Sequence, residues 1–312
     1  MNKNIAVLFA GQGSQYIGMG RDIYENYPYV LPMYEEANGY LGYDIRKICF
    51  EENDLLHLTE YTQPAMTVTN CALFEVLKRE LGLEPSVVAG FSLGEYSALY
   101  AAGVFSFATT LDLIKARAEF MNESTKESTG GMAAIIGLNR EDLERICLES
   151  GVFIANYNCP GQLVIAGQHG NLEKAVEKAK LQGARRAVIL NVSGAFHTPL
   201  MASAAGKMRE VLKKVTPKQP GFPVIMNYNA QALRIENLKE AMELQIKSPV
   251  RFEDSIRLMV SDFNIDCFIE VGPGKVLSGL VKRIEAGVQI FNIEKSSDLY
   301  LLKEEVSNEP KR

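Results

Sequence analysis

Gly90-Phe91-Ser92-Leu93-Gly94 decides the reading of this chain. A serine flanked by glycines two residues away on each side, with an apolar run before it and a helical pattern after it, is the pattern of a nucleophile elbow. Residues 85–89 (Pro-Ser-Val-Val-Ala) read as a short buried strand, and residues 95–102 (Glu-Tyr-Ser-Ala-Leu-Tyr-Ala-Ala) as a helix closed by Gly103. A turn that sharp leaves no room for Cβ atoms beside the nucleophile, which accounts for both glycines. The helix that follows presents free backbone N–H groups at its start, where an oxyanion can be held. Ser92 is therefore the candidate nucleophile of an acyl-enzyme.

Outward from the elbow, 312 residues at 47% hydrophobic and 23% charged are enough for one large domain or two smaller ones with a sizeable core. A net charge of −5 argues against nucleic acid as the main partner. The five cysteines are scattered and contain no CxxC pair, which suggests neither a disulfide framework nor a zinc site and points to reduced thiols in a cytosol. The apolar N-terminal run, residues 5–10, is a strand's length and too short for a signal peptide, and no run elsewhere is long enough to cross a membrane.

Strand and helix alternate through the first 121 residues, the pattern of a doubly wound α/β core. The first strand runs into Gly11-Gln12-Gly13-Ser14-Gln15, a glycine-rich turn without the spacing of a nucleotide-binding loop. Residues 122–131 are polar and end in two glycines, so they read as a linker. Beyond them the order becomes strand 132–138, helix 140–150, strands 153–158 and 162–166 around Cys159-Pro160-Gly161, helix 172–182 and strand 187–191. This βαββαβ order is that of a ferredoxin-like unit. The expected division is thus a parallel-sheet core from residues 1–124 and 194–312, with a ferredoxin-like insert at 125–193. The segment from Lys303 is charged and without periodicity, which predicts fraying.

A serine hydroxyl needs a general base, most often histidine, and there are three. His57 sits in a charged stretch, readable as solvated surface, and His169 in Gly167-Gln168-His169-Gly170, readable as a turn. His197, in Ser193-Gly194-Ala195-Phe196-His197, follows a strand end and an apolar run, and is the candidate base. No carboxylate stands out as its orienting partner, which leaves room for a backbone carbonyl in that role. The residue after the nucleophile, Leu93, supplies one oxyanion donor by position, and the turn at Gln12 can supply a second. Arg117 lies among apolar or small neighbours on the helical pattern after the elbow, where a buried guanidinium suits a substrate carboxylate.

These residues together resemble the malonyl-CoA:acyl carrier protein transacylase family, including the free-standing malonyl acyltransferases of polyketide synthesis. The likeness is carried by Gly11 to Gln15, Thr62-Gln63-Pro64-Ala65, Gly90 to Ser97, Gly131 to Leu138, Pro160 to Gly167 and Glu270 to Leu277. It implies an α/β-hydrolase-like core with an inserted ferredoxin-like subdomain, and no metal or other cofactor. It implies that Ser92 is acylated by malonyl-CoA, that His197 is its base and that the backbone carbonyl of Gln245 orients His197. Arg117 would pair with the malonyl carboxylate, Gln12 and Leu93 would form the oxyanion hole, and Phe196 and Asn158 would line the substrate site. Phe196 beside His197 is similar to the Ala-Phe-His arrangement of malonyl-selecting enzymes. Two positions depart from the family pattern: Phe91 stands where histidine is usual, and Ala10 where proline is usual.

Two other classes compete, a thioester hydrolase and a non-catalytic carrier-binding module. The first has no use for a buried Arg117, and the second none for an intact Ser92 and His197. The implied partner is an acyl carrier protein, typically acidic, so an acidic transferase needs a local basic face. Lys275, Lys282 and Arg283, on a helix expected after Gly272-Pro273-Gly274, are the candidate, with Lys174 and Lys178 of the insert as the alternative.

Overall fold

The computed structural model describes residues 4–307, with side chains through residue 304. The chain folds into two compact units. The first comprises the described residues up to Lys115, Pro217–Ile225 and the described residues from Leu258 onward; the second comprises Ala116–Thr216 and Met226–Arg257.

The first unit is built on five strands, β1 Ile5–Phe9, β2 Val87–Gly90, β7 Val224–Ile225, β8 Cys267–Val271 and β9 Gln289–Ile293. They pair all-parallel in the order β7-β2-β1-β8-β9. Every residue of β1, β2 and β8 is buried, as continuous apolar strands covered on both faces must be. The parallel crossovers are made by helices, among them Thr59–Leu81 and Gly94–Ala101.

The second unit holds β3 Gly130–Ile136, β4 Phe153–Cys159, β5 Gln162–Gln168 and β6 Arg186–Ile189, antiparallel in the order β4-β5-β3-β6. Helices Arg140–Ser150 and His169–Leu181 cross between β3 and β4 and between β5 and β6. The strand order and the two crossovers are those of a ferredoxin-like unit. Its core is formed by Ile135, Leu143, Ile146, Ile165 and Leu172 with their neighbours. The unit is wider than the 125–193 insert, since it also takes in residues 116–124, 194–216 and Met226–Arg257.

Two local expectations need correction. Residues 122–131 are not a linker: the helix Phe107–Glu127 runs on almost to β3. Its last turns are polar because they are paired rather than unstructured. Glu123 and Glu127 both meet Lys207, at 2.8 and 3.6 Å, and Thr125 donates to the Asn122 carbonyl at 2.7 Å. Nor is the chain frayed from Lys303, because a helix spans Ser296–Ser307, with its buried Leu299 and Leu302 supplying the apolar spacing; the residues beyond it lie outside those described.

Helices Ala202–Lys213 and Leu238–Lys247 are clasped through Glu243, whose carboxylate receives Arg209 Nε at 2.5 Å and Lys247 Nζ at 2.6 Å. The Arg209 bond above all, with Lys247 behind it, lowers the Glu243 pKa to about 2. A carboxyl depressed in the folded state stabilises above its unfolded pKa, and that contribution is lost as pH falls through the folded value. Glu243→Gln is therefore expected to lower the melting temperature at pH 7, with the difference from wild type closing between about pH 4.5 and pH 2. Thermal melts at pH 7 and pH 3 check this, and an equal difference at both would count against the clasp.

Candidate active site

β2 ends at Gly90, the helix Gly94–Ala101 begins four residues later, and Ser92 stands between them. Its φ is 54°, in the left-handed region that a non-glycine residue occupies at a cost of about 1–3 kcal/mol. The surroundings hold it there. Phe91 N–H donates to Phe9 O at 3.0 Å, Gly94 N–H to Phe91 O at 3.0 Å and Glu95 N–H to Ser92 O at 3.1 Å. A Cβ on Gly90 would lie 1.9 Å from the Gly94 carbonyl, and one on Gly94 would lie 2.3 Å from Phe9 O. The strand and helix approach so closely that only glycine fits at either place. Leu93 is the N-cap of the helix, and the turn's backbone bonds start one residue after it.

The glycine-rich turn after β1 belongs to the same unit. Ser14 Oγ donates to Gly11 O at 3.0 Å, Gly13 N–H to the Gln15 side chain at 2.7 Å, and Gln12 Nε2 to Thr59 Oγ1 at 3.4 Å. Gln12 and Phe91 line a cavity of about 110 Å³, together with Glu270 and Leu277. The buried Glu270 carboxylate receives Leu277 N–H at 2.9 Å, Ser278 N–H at 2.7 Å and Ser278 Oγ at 2.6 Å, satisfying the first amides of the helix Val276–Ile284. Burial raises its pKa against the pull of those donors.

In the second unit His197 is 3% exposed and, like Ser92, left-handed, at φ 59°. Its Nδ1 lies 3.0 Å from the carbonyl oxygen of Gln245. A carbonyl only accepts, so Nδ1 carries the proton and Nε2 presents a lone pair. The carbonyl is open for a covalent reason. Gln245 is in the last turn of the helix Leu238–Lys247, and the residue four positions on, which would ordinarily donate to it, is Pro249, with no N–H. Burial first and the Arg117 charge second push the His197 pKa down to about 3, against the opposite pull of the Gln245 and Ser248 backbone. The imidazole is neutral throughout the ordinary working range.

Arg117 is 1% exposed, the largest fully buried side chain among the described residues. Its Nη2 and Nε reach Gln245 Oε1 at 3.2 and 3.4 Å. Gln245 thus serves two residues at once, with its side-chain oxygen toward Arg117 and its backbone oxygen toward His197. Phe196 and Asn158 are buried as well, at 6% and 8%, and Asn158 Oδ1 accepts no hydrogen bond among the described residues.

The structure therefore joins Arg117, Gln245 and His197 within the second unit, and Ser92, Leu93 and Gln12 belong to the first. His57 and His169 are exposed. His169 opens a helix rather than a turn. Lys282 and Arg283 lie on the exposed side of Val276–Ile284, whose buried face is Leu277, Leu280, Val281 and Ile284, and the exposed Lys275 is its N-cap rather than a helix residue. Two contributors were not anticipated from the sequence, the backbone of Ser248 and the missing donor of Pro249. The signal was present in Lys247-Ser248-Pro249, a helix stop whose proline leaves a carbonyl unspent.

Comparisons with known proteins place the whole chain in a family. The sequence profile of the acyl transferase domain family matches residues 7–295. The malonyl CoA-acyl carrier protein transacylase of Bacillus subtilis is 43% identical, the match covering 97% of this chain and 99% of that protein. The crystal structure of the malonyl CoA-acyl carrier protein transacylase from Clostridium perfringens superposes with a TM-score of 0.93 at 37% identity, over 97% of each chain. A malonyl-transacylase solved in complex with its type II PKS acyl-carrier protein superposes with a TM-score of 0.93 at 36% identity, over 97% of this chain and 99% of that one. With likeness this extensive on both sides, the chain belongs to the acyl transferase domain family and, within it, to the malonyl CoA-acyl carrier protein transacylases.

Proposed function

We propose that this chain transfers a malonyl group from CoA to the phosphopantetheine thiol of an acyl carrier protein, through an ester on Ser92. The observation that carries the reading is the double use of Gln245, which places a buried guanidinium beside a neutral, oriented imidazole. Arg117 offers a planar fork to the free carboxylate of a malonyl group, and His197 offers a base. Ser92 Oγ attacks the thioester carbonyl and gives its proton to His197 Nε2. The oxyanion rests on the amides of Leu93 and Gln12. Collapse breaks the C–S bond, and the leaving CoA thiolate takes the proton from the imidazolium. In the second half the carrier's thiol gives its proton to His197 and attacks the ester, and the Ser92 oxygen leaves with that proton. Phe196 and Asn158 complete the acyl pocket. Residues 125–193 are the inserted subdomain of this enzyme, and the chain's five cysteines, all buried, fit a cytoplasmic home. No helix among the described residues is long and apolar enough to cross a membrane.

Incubation with malonyl-CoA alone is expected to leave a malonyl adduct on the peptide containing Ser92, by mass spectrometry, and none in Ser92→Ala. His197→Ala should slow formation of the adduct by about three orders of magnitude. An adduct on a cysteine instead would sink the reading.

Arg117→Ala is expected to lose about 2–4 kcal/mol of transition-state stabilisation for malonyl-CoA while acetyl-CoA gains relative to it. Equal loss on both substrates would reduce Arg117 to a structural cation. The same variant bears on pH. With His197 held at about 3, the acid limb of kcat/KM lies well below the ordinary histidine range, and removing the Arg117 charge should move it upward. Acetyl-CoA is the probe, having no carboxylate of its own to titrate.

The exposed Lys275, Lys282 and Arg283 offer the carrier a basic face on an acidic protein. Lys282→Glu with Arg283→Glu is expected to raise KM for the carrier several-fold and flatten its salt dependence, with Ser92 acylation within about twofold of wild type. Unchanged carrier kinetics at low salt would move docking to the insert, at Lys174 and Lys178.

A further inference from the structure

We propose that the Arg140–Tyr157–Arg251 stack, with Glu144 and Asp254, is a positioning element for His197. It acts by fixing the segment from Ser248 to Arg251, which directly follows the helix end whose Gln245 carbonyl accepts from the imidazole. The inference rests on the reading of His197 as the base.

The segment needs fixing. After the helix Leu238–Lys247 stops, Ser248 is extended and Pro249 can donate nothing, so local hydrogen bonding does not define the chain's path. The path is defined from outside. Val250 N–H donates to Ala155 O at 2.8 Å and Val250 O accepts from Tyr157 N–H at 2.9 Å, forming a parallel bridge on the free edge of β4. β4 is irregular just there, its register with β5 shifting between Ile154 and Asn156 and again between Tyr157 and Cys159. Bulges of this kind turn backbone groups away from the regular ladder, leaving them for another segment.

Side chains then lock the bridge. The Tyr157 ring, 8% exposed, has the Arg140 guanidinium 4.0 Å from its centroid and that of Arg251 at 5.5 Å. Asp254 receives Arg251 at 2.9 Å and Arg140 at 3.3 Å, and Glu144 receives Arg140 at 3.0 Å and the Tyr157 hydroxyl at 2.8 Å. Each ion pair alone is partly exposed and weak. Shared partners around one buried ring make the set act as a unit. Arg251 is the member adjacent to the bridge, and Ser248, whose backbone reaches His197, lies three residues before it.

The test is Arg251→Ala in the full-length enzyme, with acylation of Ser92 by malonyl-CoA and the His197 imidazole signal in proton–carbon and proton–nitrogen NMR spectra as separate readouts. The expected result is a fall in kcat of about tenfold or more, KM within about twofold, and loss or displacement of the His197 Nδ1–H resonance. Arg251→Lys keeps a charge for Asp254 without the planar stack and should recover part of the rate. Asp254→Asn, nearly isosteric, supplies the same readouts should Arg251→Ala fail to fold. Arg257→Ala removes a pair with Glu253 on the helix Phe252–Phe263, which also carries Asp254, and is expected to leave both readouts at wild-type values. A normal kcat in Arg251→Ala and Asp254→Asn, or a reduced kcat with the His197 signal unmoved, overturns the proposal. Absence of a Ser92 adduct in wild type would overturn the transfer reading alone, because the imidazole signal reports the clamp without turnover.

Discussion

The hydrogen bond from His197 Nδ1 to the Gln245 carbonyl governs the chemistry of the second unit. In the familiar serine triad that place is taken by a carboxylate, which fixes the tautomer and stabilises the imidazolium with a full charge. A carbonyl fixes the tautomer equally well and brings only a dipole, here at the negative end of a helix. Without a compensating anion, burial and the neighbouring guanidinium dominate, and the imidazole stays neutral far into acid. A base paired with a carbonyl can share its surroundings with a cation, whereas a base paired with a carboxylate would draw that cation into an internal salt bridge.

The two catalytic candidates are built by the same backbone device on unrelated elements. Ser92 and His197 both occupy the left-handed region, at φ 54° and 59°. One is enforced by a strand and helix packed against two glycines, the other on the path between β6 and the short helix Pro199–Met201. Strain of this kind persists only where packing over-determines it. The neighbouring residues are tightly packed, Ala10 and Leu93 in one unit and Ala195 and Thr198 in the other all being almost inaccessible.

Much of this was legible because it rests on local rules. Two glycines flanking a serine, a βαββαβ order and a lone histidine in an apolar run each carry their own physical reason. The misreadings came where partners are distant. Residues 122–127 look like a linker until Lys207 is placed against them. β9 is only half-buried at a sheet edge and gave little pattern to find. The stack around Tyr157 draws on three elements, and neither arginine has a periodicity that points to it. Pro249 was readable as a helix stop, but the recipient of the carbonyl it frees lies 48 positions away in the chain.

The register of the parallel sheet also sets an order of assembly. Ile5 pairs with Cys267 and Phe9 with Val271, so β1 lacks one neighbour until β8, far later in the chain, has been made. The antiparallel sheet of the second unit closes between Gly130 and Ile189, within one continuous stretch. Contacts close in sequence form earlier than distant ones, because less chain entropy is lost in closing them. The ferredoxin-like sheet can therefore be complete while one edge of β1 still awaits its partner, and the nascent chain at that stage exposes a strand edge of the kind that chaperones bind.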